Sequence, residues 1–166
     1  MADITDKDIE SAILDSSTGL YNSPYFMRRL RMMISCSRRH KFPLGIILIN
    51  FNVYGESGRS LSHEEQNFVL NTIGRVIGGS VRWDSDLACS IEENKIGIIL
   101  PYCKKEEAGI VINRVLNNLK QDDLLIKDGS RLFLSLKIGS SSLDLSHDAL
   151  SFLKEAEDNA NIIETI

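Results

Sequence analysis

The sequence predicts a mixed α/β fold of the α+β type, with a βαββαβ core and a mostly antiparallel central sheet surrounded by helices. A nearly continuous apolar run over residues 44–52 is typical of a strand buried on both faces. Two short segments at residues 86–90 and 95–101, joined by a tight turn, indicate a hairpin. The segments between these strands repeat apolar residues at helical spacing. In this split βαβ arrangement we expect the helices to pack on one face of the sheet.

The part of the chain before the first strand is predicted to contain two helices. Residues 3–14 carry apolar side chains at near-helical spacing, which predicts a lead-in helix. Residues 15–22 are rich in turn formers and are expected to be an ordered loop. Pro24 lies where proline tolerates the first helical turn, so the next helix should run to about His40.

After the first strand the chain alternates between helices and strands. The predicted elements are a polar loop (55–62), a helix (63–81), the hairpin, a helix (106–119), an alternating strand (131–142) and a closing amphipathic helix (148–163). The sequence shows no internal repeat or linker. We therefore divide the chain into a lead-in segment, residues 1–14, and one domain, residues 15–166.

The composition excludes several classes of protein. A chain of 166 residues can bury a core without disulfides or metal. No apolar run reaches the length of a membrane span, and the acidic N-terminus is not a signal peptide. The scattered cysteines Cys36, Cys89 and Cys103 match no zinc or redox pattern and fit a reducing cytoplasm. We expect a cytoplasmic protein with no metal site.

The charge is acidic overall but basic at one place. The net charge of −4 argues against a nucleic acid partner, which would require a basic surface. The exception is the helix before the first strand. We interpret its basic residues as a solvated helix face, and binding to an anionic membrane or to RNA is the alternative. These residues are Arg28, Arg29, Arg31, Arg38, Arg39, His40 and Lys41.

Several motifs agree in order and spacing with one enzyme family. The segment D-x-x-T-G-L-Y-N-x-x-x-F runs from Asp15 to Phe26, and the strand ending in Pro101 follows the hairpin. With these motifs the chain resembles the GGDEF domains of cyclic di-GMP synthases, over nearly all of its length after Asp15. The resemblance implies the core shared by GGDEF and nucleotidyl cyclase palm domains.

The resemblance places changed residues at most functional positions of the family. Asn50 stands where an aspartate binds metal, and Asn94, followed by Lys95, stands where the signature carries carboxylates. The other positions implied by the resemblance are Asn52 for a second aspartate, Gly58 and Asn67 for the guanine-reading residues, Glu92 and Glu93 for the signature glycines, and the retained His63.

These substitutions predict a catalytically inactive domain. Joining two nucleoside triphosphates requires divalent cations, which take anionic oxygen ligands. An amide is a neutral, weaker ligand, and the ammonium of Lys95 would repel a cation. We therefore expect no cofactor and regard the nine positions above as vestigial.

The inhibitory product site of the family, Arg-x-x-Asp, is also changed. Asp86 is in place, Trp83 occupies the position of the arginine, and Arg82 lies one residue away. Trp83 can stack on a guanine, but we favour an ordinary core or interface tryptophan.

The sequence leaves several functions open. The first hypothesis is a silent regulatory module that contacts proteins, such as a signalling protein or another GGDEF-like subunit. The second is a sensor that binds GTP or cyclic di-GMP without turnover, although the lost glycines and guanine readers oppose nucleotide binding. Residual cyclase activity is the third. The lead-in helix leaves open whether the chain is free-standing or a fragment.

Overall fold

The computed structural model describes residues 3–122 and 129–166. Within these residues the chain forms five α-helices and five β-strands. In chain order they are α1 (Asp6–Ile13), α2 (Ser23–His40), β1 (Leu44–Gly55), α3 (His63–Gly78), β2 (Leu87–Glu92), β3 (Lys95–Pro101), α4 (Ala108–Gln121), β4 (Leu132–Ser142), α5 (Ala149–Asp158) and β5 (Ile162–Thr165).

The strands form one sheet in the order β2-β3-β1-β4-β5, in which all neighbours are antiparallel. Strand β1 lies at the centre. It pairs with β3 from Leu44 opposite Pro101 to Asn50 opposite Lys95, and with β4 along its other edge. The predicted βαββαβ core and antiparallel sheet are therefore confirmed.

Helices cover both faces of the sheet, so the expectation of a single covered face is wrong. Strand β1 sends Ile47 and Ile49 into a core with α3 and α4, and Ile46 and Leu48 into a second core with α2 and α5. Consecutive side chains of a strand point to opposite faces. A continuous apolar run therefore requires cover on both sides, which α2 and α5 supply in addition to the two helices of the split βαβ core.

The end of the chain is a strand, which corrects the predicted closing helix. Helix α5 ends at Asp158, and the backbone N–H of Asn159 caps it by donating to the Glu155 carbonyl at 2.9 Å. Ile162–Thr165 then pairs with residues 135–138 of β4. Two β-branched residues next to an unpaired sheet edge favour a strand over another helical turn.

The loop 15–22 is ordered by its own side chains. The Asp15 carboxylate accepts from the backbone N–H and hydroxyl of Thr18 at 3.0 and 2.7 Å. Gly19 has a φ of 74°, which favours glycine. Asn22 caps α2 by accepting from the Tyr25 N–H at 3.1 Å, and its Nδ2 donates to the Ala12 carbonyl at 2.9 Å. The residues of this motif therefore order the loop and connect α1 to α2.

The cysteines have the packing roles that the sequence predicts. Cys89 and Cys103 are buried and Cys36 is half-buried. Burial raises the pKa of the Cys89 thiol to about 12, so this thiol stays protonated at neutral pH. Among the described helices, none has the length and apolar character needed to cross a bilayer.

The contact between the loop 15–22 and α3 gives a test of the packing. A Cβ added to Gly74 would lie 1.9 Å from the Thr18 carbonyl oxygen. We expect Gly74→Ala to lower the free energy of unfolding by about 2 kcal/mol or more, because backbone must move to relieve the overlap. Urea denaturation followed by circular dichroism measures this change.

Gly109→Ala in α4 is the matched control. An added Cβ there meets no atom within 4 Å, so we expect a gain of up to about 0.5–1 kcal/mol from helix propensity. Equal stability of the Gly74→Ala variant and the parent would contradict the packing of the loop against α3.

Candidate functional site

An open cleft of about 580 Å³ lies between the loop 15–24, the start of α3 and the β2–β3 hairpin. The hairpin contributes a polar wall and α3 contributes the facing wall. The lining residues from these two elements are Ser90, Ile91, Glu92, Glu93 and Asn94 on the hairpin and His63, Gln66, Asn67 and Leu70 on the helix.

The structure brings five of the nine predicted active-site positions into this cleft. These are His63, Asn67, Glu92, Glu93 and Asn94. His63 Nε2 and Asn67 Nδ2 are 3.3 Å apart on consecutive turns of α3. Ser62 performs the capping of this helix by accepting from the Glu65 N–H at 3.2 Å.

The other four predicted positions do not line the cleft. Asn50, Asn52 and Lys95 lie on the strands, where Asn52 is exposed opposite Ser135 of β4. Gly58 lies in the short 3-10 turn after β1 with a φ of 73°. The cleft therefore contains the predicted positions of the hairpin and of α3, and β1 contributes Phe51 to its lining.

The hairpin turn separates Asn94 from Asn50. Asn94 has a φ of 59° in the turn, and its carbonyl accepts from the Phe51 N–H at 3.0 Å. Lys95, the next residue, is the residue directly opposite Asn50. Directly opposite residues of antiparallel strands share a face. The residue of the hairpin that lies beside the Asn50 side chain is therefore Lys95 and not Asn94.

A polar network surrounds Asn50 of β1. Asn50 Nδ2 donates to Glu157 Oε1 at 3.1 Å, and Lys95 Nζ lies 3.0 Å from Glu157 Oε2. The Lys95 side chain is 18% exposed, so this ion pair is partly shielded from water. Lys137 of β4 lies opposite Asn50 on the other side, so two lysines flank the amide on one face.

These residues do not fit a divalent cation. Magnesium requires anionic or strongly polar oxygen ligands in octahedral geometry. Glu157 is a carboxylate at this position, but both of its oxygens contact nitrogen donors, and the ammonium of Lys95 supplies the local positive charge. In residues 3–122 and 129–166, no three His, Cys, Asp or Glu side chains are grouped as metal ligands.

Sequence reasoning missed Glu157. In the sequence it is one of several acidic residues of the last helix, and no motif distinguishes it. Its role depends on how α5 crosses the sheet, which the sequence does not specify.

At the position of the family's inhibitory site, Arg82 is already paired. Its Nε and Nη2 donate to the two oxygens of Asp86 at 3.2 and 3.0 Å, and Nη2 also donates to the Pro101 carbonyl at 3.0 Å. The Asp86 side chain is 2% exposed. This hydrogen bonding raises the pKa of Arg82, so the pair is a fixed structural contact.

Trp83 lies next to this pair and is not a core residue. Its side chain is 92% exposed, at the edge of a small pocket of about 230 Å³ that Leu14, Tyr21 and Val81 also line. A core role is therefore excluded, and a role in an interface or in stacking remains.

Comparisons with known proteins agree on one family. The family model for the diguanylate cyclase GGDEF domain matches residues 12–164. The chain is 27% identical over 126 residues to diguanylate cyclase TpbB of Pseudomonas aeruginosa, which covers 75% of this chain and 28% of TpbB. The chain thus spans between a quarter and a third of the length of this relative.

Solved structures show the same fold. The diguanylate cyclase SiaD from Pseudomonas aeruginosa, solved in complex with its activator SiaC, matches 92% of this chain and 58% of its own, with a TM-score of 0.80 and 20% identity. The GGDEF domain of FimX from the same organism matches 89% of this chain and 91% of its own, with a TM-score of 0.71 and 16% identity.

The network of Asn50, Lys95 and Glu157 predicts a measurable coupling between Lys95 and Glu157. We expect Lys95→Ala and Glu157→Ala each to destabilise the protein, with a coupling free energy of about 0.5–1 kcal/mol in a double-mutant cycle. Urea denaturation of the four proteins gives this value. The exposed pair Lys154–Asp158 is the matched control, for which we expect a coupling free energy of about 0.3 kcal/mol. Coupling of zero between Lys95 and Glu157 would show that the pair is not formed.

The Arg82–Asp86 pair gives a second prediction. Arg82→Gln leaves the buried Asp86 carboxylate with fewer donors, so we expect a loss of about 1–2 kcal/mol of stability. Arg75→Gln removes a more exposed ion pair with Asp122 and should cost about 0.5 kcal/mol or less. Thermal unfolding of both variants compares them, and an Arg82 variant as stable as the parent would contradict the fixed pairing.

Proposed function

Because the chain belongs to the GGDEF domain family of diguanylate cyclases, we propose that it is a catalytically inactive member that acts in cyclic di-GMP signalling as a regulatory or protein-interaction module. The family membership rests on a match over residues 12–164, and the inactivity rests on the residues of the site.

The observation that carries this proposal is the network of Asn50, Lys95 and Glu157. Nucleotide condensation requires cations that neutralise charge on the phosphates and lower the pKa of the attacking hydroxyl. Here an amide of β1 and an ammonium of β3 lie side by side, and the Glu157 carboxylate accepts a hydrogen bond from the amide and forms an ion pair with the ammonium. The electrostatics of this position therefore oppose cation binding.

The retained motif residues support the same conclusion. Asp15, Thr18 and Asn22 bond within their own loop or to adjacent helices, and so they are needed for folding whether or not the domain turns over nucleotide. The changed positions, Asn50 and Lys95, are those that the family uses for chemistry. A domain that keeps the first set and loses the second is suited to binding rather than catalysis.

Binding of a protein partner is the function that fits this site best. SiaD, which shares this fold, was solved with its activator SiaC bound, so a GGDEF protein can work through a partner protein. For this chain we propose a signalling protein or a second GGDEF-like subunit as the partner.

The second candidate is a nucleotide sensor. The cleft keeps a volume of about 580 Å³, and His63, Gln66 and Asn67 offer hydrogen-bonding groups to a base. Glu92 and Glu93 oppose this reading, since both carboxylates line the cleft and repel phosphate.

Two measurements test the proposal. We expect no cyclic di-GMP above the blank when the chain is incubated with GTP and Mg²⁺ and the products are separated by chromatography, with an active diguanylate cyclase as the positive control. Product that disappears in an Asn50→Ala variant would overturn the proposed inactivity.

Calorimetry separates the two candidates. Titration with GTP and with cyclic di-GMP, each with and without Mg²⁺, should give no heat if the module acts through protein contacts. Saturable micromolar binding that is lost in Asn67→Ala, a cleft residue, would favour the sensor. Lys104→Ala lies outside the cleft and is the control for non-specific charge effects.

A further inference from the structure

The outer face of α2 is basic. Arg28, Arg31 and Arg39 are exposed on this helix, which contains no acidic residue. None of the three makes an ion pair with a residue in the described ranges 3–122 and 129–166. Because the chain as a whole carries a net charge of −4, this helix is a local concentration of positive charge on an acidic protein.

Apolar and basic groups are interleaved on this face. Met32 is exposed between the arginines. A shallow depression of about 370 Å³ runs along the helix, lined by Arg31, Met32, Ser35, Cys36, Arg39 and His40. A depression lined by two arginines and a serine suits a phosphate-bearing group.

The loop beside the C-terminal end of α2 exposes a leucine to solvent. Leu145 is 90% exposed in the β4–α5 loop. The loop is fixed: Arg38 of α2 donates to the carbonyls of Asp144 and His147, and the Asp144 N–H donates to His147 Nδ1 at 3.0 Å. Ser146 also bonds to the Asp144 carboxylate through its N–H at 2.8 Å. The loop therefore presents Leu145 in an ordered conformation.

Helix α5 adds a second exposed leucine. It packs on the same sheet face as α2, and the two helices contact each other. Leu150, in the first turn of α5, is 69% exposed. We call the set Arg28, Arg31, Met32, Arg39, Leu145 and Leu150 the basic-apolar surface.

We propose that the basic-apolar surface docks the domain on an anionic lipid surface. Arginines attract lipid phosphates, and aliphatic side chains beside them enter the boundary between headgroups and acyl chains. RNA is the less suitable ligand, because single-stranded RNA is held by stacking on aromatic rings and this surface presents aliphatic side chains instead.

This docking is independent of the proposed function. No residue of the basic-apolar surface lines the cleft, so the cleft stays open when the surface is occupied. Failure of lipid binding would leave the proposed regulatory role untouched, and detection of cyclase activity would leave the lipid proposal untouched.

Vesicle sedimentation with the full chain tests the proposal. We expect the chain to sediment with vesicles of mixed phosphatidylcholine and phosphatidylglycerol at low salt, and not with vesicles of phosphatidylcholine alone. The triple variant Arg28→Gln, Arg31→Gln, Arg39→Gln should lower the partition coefficient about a hundred-fold, since each arginine near an anionic surface contributes about a five-fold factor.

The matched control variant removes the same number of positive charges from another part of the protein surface. Lys7→Gln, Lys120→Gln, Arg131→Gln also changes the net charge by three, at exposed basic residues outside the basic-apolar surface. We expect this control to lower the partition coefficient by less than about five-fold. An equal loss in both triple variants would overturn the proposal, because binding would then depend on net charge alone.

The leucines separate lipid docking from simple charge attraction. Leu145→Ser and Leu150→Ser should each weaken partitioning about ten-fold without changing thermal stability, because both side chains are exposed in the free protein. Unchanged partitioning of both leucine variants would overturn the insertion of these side chains. Absence of vesicle binding, or binding of a labelled single-stranded RNA in its place, would overturn the lipid assignment.

Discussion

The burial of β1 on both faces is the constraint that positions most of the candidate site. Every residue from Leu44 to Ile49 is buried, and both edges of the strand are paired. A one-residue slip would turn each apolar face of the strand toward the wrong core, so the register is fixed. Asn50 follows this segment directly. Its neighbours, Lys95 and Lys137, are therefore determined by hydrophobic packing several residues away.

The chain divides its family motifs into two groups. Asp15, Thr18 and Asn22 are retained, and each makes hydrogen bonds that hold the loop before α2. Asn50 and Lys95, which the resemblance places at a metal-binding position and in the signature of the family, both contact Glu157 in an internal network. The hydrogen bonds of the first group stabilise the fold whether or not the domain turns over nucleotide. A retained motif is therefore evidence of fold and not of turnover.

The sequence predicted the core well, because hydrophobic periodicity reports which side chains are buried. The sequence-based prediction failed where tertiary contacts determine the local structure or the partner of a side chain. The run 159–163 has no strong local preference, and the free edge of β4 makes its end a strand. The need to cover both faces of β1 was implicit in the apolar run, but the topology rule for the split βαβ core concealed it. The ion pair of Glu157 with Lys95 and the hydrogen bond of Arg82 to the Pro101 carbonyl join segments that no spacing rule relates.

Asn22 connects the lead-in helix to the cleft through its side-chain hydrogen bonds. Its amide holds the end of α1 through the Ala12 carbonyl and the start of α2 through the Tyr25 N–H, and the same residue lines the cleft. A displacement of α1 would therefore act directly on a residue of the cleft wall, because the same side chain is hydrogen-bonded to both helices.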